Sequence, residues 1–255
     1  MTLTHIILIL VVGTVAGFIN AMAGGGSLLT MPTLIFLGLP ASTANGTNRV
    51  ALLIQNMTGI WNFRRKGFFD WKLSLWLSIP AVVGSLIGAS FAVSIPDGLF
   101  NKILAVVMIV VVVFIIWQPQ KKMAQSEKPI TKGRMVAACI IFFIVGLYGG
   151  FIQAGVGFLM IAGMTAIFGM SLVKVNAIKL FVAGVYILAS FLIFVFHGEV
   201  DWLLGFVLAI GNALGAWIGT HFAVSKGEKW IRIVLVIAVV LMAAKLFGLF
   251  TFILS

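Results

Sequence analysis

Ten stretches of the chain, near residues 5–21, 24–38, 45–62, 73–93, 102–117, 135–152, 156–170, 175–196, 203–224 and 230–253, are apolar with only short connections between most of them. This pattern limits the fold more than any motif does. A bilayer core of roughly 30 Å takes about 20 apolar residues in a helix. No water reaches a bare backbone group there, so in this composition only helices satisfy their own peptide groups. With 62% hydrophobic and 9% charged residues, against about 45–50% and about 25% in soluble domains, the chain reads as an all-α polytopic membrane protein whose first partner is the lipid bilayer. The second and seventh stretches are short and flanked by glycine, so a full crossing and a re-entrant half-helix both stay open for them. The run from Ile6 to Ile19 lacks a basic segment before it and a small-residue cleavage site after it, and reads as a retained helix.

The second half repeats the first at a spacing of 131 residues. Gly26 falls on Gly157, Gly38 on Gly169, Asn45 on Asn176, Asp70-Trp71 on Asp201-Trp202, Gly84 and Gly88 on Gly215 and Gly219, and Phe91-Ala92-Val93-Ser94 on Phe222-Ala223-Val224-Ser225. Upstream, Gly17-Phe18-Ile19-Asn20-Ala21 matches Gly150-Phe151-Ile152-Gln153-Ala154 at a spacing of 133. One two-residue gap therefore aligns two five-segment halves, 1–118 and 135–255, joined by a basic linker, 119–134.

Matching loops differ in charge. The loop "FRRKGFFDWK" carries Arg64, Arg65, Lys66 and Lys72, whereas its counterpart "FHGEVDW" carries Glu199 and Asp201 without Lys or Arg. The next pair reverses this: "SIPDGLF" is poor in cations, and "SKGEKWIR" holds Lys226, Lys229 and Arg232. Under the positive-inside rule the basic loops and the linker are cytoplasmic and both termini lie outside, so the repeats are inverted. Inverted halves can exchange conformations around a shared site, which is the logic of alternating access.

Glycine clusters interrupt corresponding apolar runs. Ala23-Gly24-Gly25-Gly26-Ser27 and Gly155-Val156-Gly157 break helices at equivalent places, leaving backbone N–H groups to be met by water, a side chain or a ligand. A helix restarting there presents a positive end suited to an anion. Ser27 is placed to cap such an end, and Asn20 and Gln153 add neutral donors. Beyond the breaks lie Asn45, Asn48 and Arg49 in the first half and Asn176 and Lys179 in the second. Intramembrane cations of this kind are costly and tend to be functional, although Arg49 and Lys179 lie near enough to helix ends to snorkel. Gln55, Asn56, Tyr186 and Asn212 lie deeper as cavity polar groups. By contrast, Gly84 with Gly88, and Gly215 with Gly219, have the spacing that lets helices approach closely.

Other chemistries find little support. All six acidic residues, Asp70, Asp97, Glu127, Glu199, Asp201 and Glu228, fall in connections, so none is left to hold a cation or relay a proton at the midplane. His5, His197 and His221 are scattered and Cys139 is alone, so no metal set, disulfide or nucleophilic triad assembles. No cofactor and no enzyme activity are expected. The net charge of +11 sits in short loops, where topology accounts for it without nucleic acid.

The segments "GFINAMAGGGSLLTMPTLIFLGLPASTANGTNR" and "GGFIQAGVGFLMIAGMTAIFGMSLVKVNAIKL", with the "RRKGFFDW" loop and the basic linker, resemble the TauE/SafE family of sulfite exporter-like anion permeases across essentially the whole chain. The second motif departs from the first, with "GVG" for the triple glycine and Gly163 in the place of Pro32. The resemblance implies a multi-pass protein of a bacterial inner membrane that moves sulfite or a small organosulfonate outward. An anion channel and a non-transporting scaffold are the competing readings, and assembly into a homo-oligomer is left open. The substrate-binding set expected from the residues is Asn20, Gly24, Gly25, Gly26, Ser27, Asn45, Asn48, Arg49, Gln153, Gly155, Gly157, Asn176 and Lys179.

Overall fold

The computed structural model describes residues 3–22, 25–65, 70–117, 127–222 and 228–246. Ten helices and no strand occur among them. They are α1 (Leu3–Met22), α2 (Ser27–Phe36), α3 (Ala41–Arg65), α4 (Trp71–Ala92), α5 (Asp97–Trp117), α6 (Lys132–Phe151), α7 (Val156–Phe168), α8 (Leu172–Phe196), α9 (Trp202–Phe222) and α10 (Glu228–Leu246). Five of them, α1, α4, α6, α8 and α9, contain runs long and apolar enough to cross a membrane. At 10 and 13 residues, α2 and α7 reach only about 15 and 20 Å, well short of a bilayer core.

Several helices begin one to four residues before their apolar runs, where polar residues cap them. The Asp70 carboxylate accepts from Leu73 N at 3.0 Å at the start of α4, and Asp201 does the same for Leu204 N at 3.0 Å ahead of α9. Asp97 reaches across to accept from Ala41 N at 2.9 Å, capping α3 from another element. Each supplies an acceptor to an N–H that the helix itself cannot use.

The main helix pairings are the same when the first five helices are exchanged for the last five. The most extensive contacts join α1 to α9 and α6 to α4; next come α4 with α8 and α3 with α9. The crossing of α3 with α8 and the contact of α5 with α10 map onto themselves, while α2 packs on α1 and α3 as α7 packs on α6 and α8. Chain direction follows from residue contacts. Thr47 meets Asp201, and Gln55 meets Asn212, so α3 and α9 run the same way. Arg49 meets Ser190 and Gly59 lies against Leu180, so α3 and α8 run oppositely. One end of the bundle gathers Arg64, Trp71, Lys132 and the end of α7, whose Phe168 carbonyl accepts from Lys128 N at 2.8 Å. This is the linker face. The other end gathers Ala41, Asp97, Glu199 and Phe36, with Lys245 over the Phe36 ring.

Glycines set the two closest pairings. A Cβ on Gly215 would stand 1.9 Å from the Thr14 carbonyl oxygen of α1, and one on Gly84 would stand 2.2 Å from the Phe143 carbonyl oxygen of α6. The close approach expected from the glycine spacing is therefore present at both pairs. The two pairs are not in the same register, however. Gly17 lies against Asn212, while its counterpart Gly150 lies against Ser85, which matches Ala216. Gly13 against Leu208 and Gly146 against Ala81 repeat the same four-residue offset, one helical turn.

Replacing Gly215 by Val should force α1 and α9 apart, at about 1–3 kcal/mol for overpacking. The expected fall in Tm in detergent is about 2–4 °C for each kcal/mol. Gly98, with nothing within 4 Å of a Cβ, should tolerate Ala with no comparable fall. Equal Tm for the two variants would contradict the packing.

Candidate functional site

The two breaks are built differently. After α1 the chain turns back so that Gly26 lies beside the helix it has just left, where a Cβ would stand 2.0 Å from the Ala16 carbonyl oxygen. After α6, Gln153 takes φ 66° and Gly155 φ 74°. Glycine adopts this left-handed backbone freely, whereas in Gln153 it costs about 1–2 kcal/mol. Gln153 is the one non-glycine residue with positive φ among the described residues. Ser27, expected to cap its own helix, does not; Gly26 is the N-cap of α2 and no side chain bonds to it. The Ser27 hydroxyl instead donates to the Gln153 carbonyl at 3.3 Å and accepts from Gly155 N at 3.3 Å. The two breaks thus touch through one side chain.

Between them lies a small cavity of about 20 Å³, room for about one water molecule. Asn20, Ser27, Asn56, Gln153, Lys179 and Tyr186 supply its polar lining, and Gly157 brings in the first turn of α7. Leu52, Met160, Leu180, Ala183 and Ile187 complete the wall. Tyr186 donates to Gln153 Oε1 at 3.0 Å, and Lys179 donates from Nζ to the Asn20 carbonyl at 3.3 Å. Lys179 is 3% exposed and is the only basic residue in the lining, which contains no carboxylate. The described carboxylates are held at the two faces: Asp70, Asp97 and Asp201 by helix starts, Glu199 by Thr43, and Glu127 by Lys174 at 2.7 Å.

Of the residues expected from sequence, Asn20, Ser27, Gln153, Gly157 and Lys179 converge on this cavity. Gly25, Gly26 and Gly155 shape the breaks beside it, and Gly24 lies outside the described residues. Asn45, Asn48 and Arg49 stand apart from the lining. Asn45 Nδ2 donates to the Phe151 carbonyl at 2.7 Å. Arg49 is fully buried, donates to the Gly149 and Gly150 carbonyls and to Ser190 Oγ at 2.7 Å, and stacks its guanidinium 4.5 Å from the Phe194 ring centre. Together they serve the last carbonyls of α6, which have no partner within their helix. Asn48 accepts from Thr30 Oγ1 at 2.6 Å, Asn176 keeps its Oδ1 unpaired on α8, and Asn212 donates to Gln55 at 3.3 Å. Sequence reasoning passed over Tyr148, whose hydroxyl donates to the Ala154 carbonyl. The chain has only two tyrosines, and both reach the second break, so their scarcity was the available signal.

A family model described as sulfite exporter TauE/SafE matches residues 9–246. A protein from Haemophilus influenzae described as a probable membrane transporter protein is 30% identical, covering 92% of this chain and 91% of its own. YfcA of Escherichia coli K12, with the same description, is 30% identical over 92% of this chain and 87% of its own. ORF9 of a Sinorhizobium species, likewise described, is 27% identical over 91% and 88%. No solved structure matches the chain.

At Gln153, the left-handed backbone makes a testable distinction. A β-branched residue is poorly suited to positive φ, so Gln153→Val should cost about 1–3 kcal/mol and lower Tm by about 2–4 °C for each kcal/mol. Asn tolerates this region better, so Gln153→Asn should stay closer to the parent. The reverse order in a thermal melt would reject the assigned conformation.

Proposed function

The chain belongs to the sulfite exporter TauE/SafE family of membrane transporters, and from that membership we propose that it carries a small oxyanion, sulfite or an organosulfonate, through the cavity between its two breaks. The observation that carries this reading is the meeting of two helix N-termini, those of α2 and α7, at a buried lysine with no carboxylate in the lining. Neither N-cap residue caps its own helix with a side chain, and Ser27 and Gly157 bring both first turns to the lining, where an anion is favoured. Asn20, Ser27, Gln153, Gly157 and Lys179 contact the substrate in this scheme. Asn45 and Arg49 hold the end of α6, while Gly25, Gly26 and Gly155 give the backbone its turns.

The mechanism is alternating access between two inverted halves. The shared pairing pattern supports it, as does the opposite direction of α3 and α8, which occupy equivalent places in the two halves. The linker face carries Arg64, Lys72, Lys128, Lys132, Arg134 and Lys174, so it is the cytoplasmic face of a bacterial inner membrane. An inside-negative potential then favours export of an anion, by roughly 2.3 kcal/mol per charge per 100 mV.

Counterflow in proteoliposomes tests the proposal. Unlabelled sulfite on the far side should accelerate entry of labelled sulfite. A channel gives flux without that acceleration, and a scaffold gives none. Lys179→Gln should cut flux by about tenfold or more. Gly25→Leu and Asn45→Ala should each impair flux in protein that still inserts. Normal counterflow in Lys179→Gln would remove the site.

A further inference from the structure

The two halves pair their helices alike but differ in which residues they bring to the cavity. From α8 come Lys179, Leu180 and Tyr186; the α3 residues at the matching positions, Asn48, Arg49 and Gln55, are outside the lining. These three are 0%, 0% and 1% exposed, and each keeps a nitrogen without a partner: Asn48 Nδ2, Arg49 Nε and Gln55 Nε2. Among the described residues, no other buried side-chain nitrogen is left this way. Buried donors are nearly always paired, so three orphan nitrogens on one helix ask for an acceptor that is not part of the fold. Arg49 Nε–H can only donate.

The helix contacts are alike in the two halves, Gly215 on Thr14 and Gly219 on Phe18 answering Gly84 on Phe143 and Gly88 on Leu147, but the matching Gly-Phe-Ile motifs at Gly17 and Gly150 sit one turn apart in that shared packing. Sliding α1 along α9 and α6 along α4 by one turn, so that Gly17 faces Ala216 and Gly150 faces Ala81, would give each half the other's arrangement. Both slides point toward the linker face. One-turn steps of packed helices are an established way for a fold to switch between discrete states.

We infer that Asn48, Arg49 and Gln55 form a second anion-binding set, which lines the cavity in the alternate conformation in place of Lys179, Leu180 and Tyr186. The inference rests on the alternating-access reading above. In the present conformation the other Arg49 donors hold the end of α6, and the slide carries those carbonyls away from it. All three side chains donate and none carries negative charge, as an oxyanion requires.

The test measures the half-saturating concentration of labelled sulfite separately at each face, in right-side-out and inverted vesicles. One group of variants is Lys179→Gln and Tyr186→Phe on α8; the other is Gln55→Met and Asn48→Ala on α3, with Asn48→Ser in reserve if insertion suffers. The α8 group should raise the concentration about tenfold at one face and less than about twofold at the other. The α3 group should show the opposite face preference. The inference fails if both groups act at the same face, or if the α3 group moves neither face while the α8 group moves one. If the α8 group itself changes nothing, the proposed substrate site falls, and the second set falls with it.

Discussion

A helix that stops inside a bilayer leaves carbonyls at one end and N–H groups at the next with no water to meet them. In this protein many of the missing partners come from the opposite half. Arg49 and Asn45 of α3 take the last carbonyls of α6, Lys179 of α8 takes the Asn20 carbonyl near the end of α1, and Ser27 bonds to both Gln153 and Gly155. Neither break is satisfied by its own half alone. The close helix pairs, α1 on α9 and α6 on α4, keep these long-range bonds in reach, and their glycines make that closeness possible.

The same economy places charge. Carboxylates sit at the two faces, where Asp70, Asp97 and Asp201 serve the starts of α4, α3 and α9. The starts of α2 and α7 receive no such group, so their positive ends are left turned toward the cavity. A lysine joins them there. The electrostatic character of this interior follows from where acids are absent as much as from where bases are present.

Much of this was legible in the chain. Apolar length gave the helices, and glycine clusters marked both breaks, because glycine is about 1 kcal/mol less favourable than alanine in a helix interior. The 131-residue spacing pairs the first five helices with the last five, and the main helix contacts are alike under that exchange. Five of the expected site residues meet in the cavity, along with Asn56 and Tyr186. Arg49 illustrates the other side. Its position near a break and its charge marked it as important, yet whether it faces the cavity or the end of α6 depends on how α3 lies against a helix about a hundred residues away.

Local quantities, hydropathy, glycine placement and the segregation of charge, thus fixed a helical membrane chain with two glycine-marked interruptions. The tertiary structure decided that Ser27 serves the other break and not its own helix, that the matching motifs of α1 and α6 sit one turn apart against their partners, and that three side-chain nitrogens on α3 go unpaired. Those outcomes depend on the relative sliding of whole helices. A one-turn slide changes every contact between two helices while leaving each helix's own sequence pattern untouched, so nothing along the chain records it.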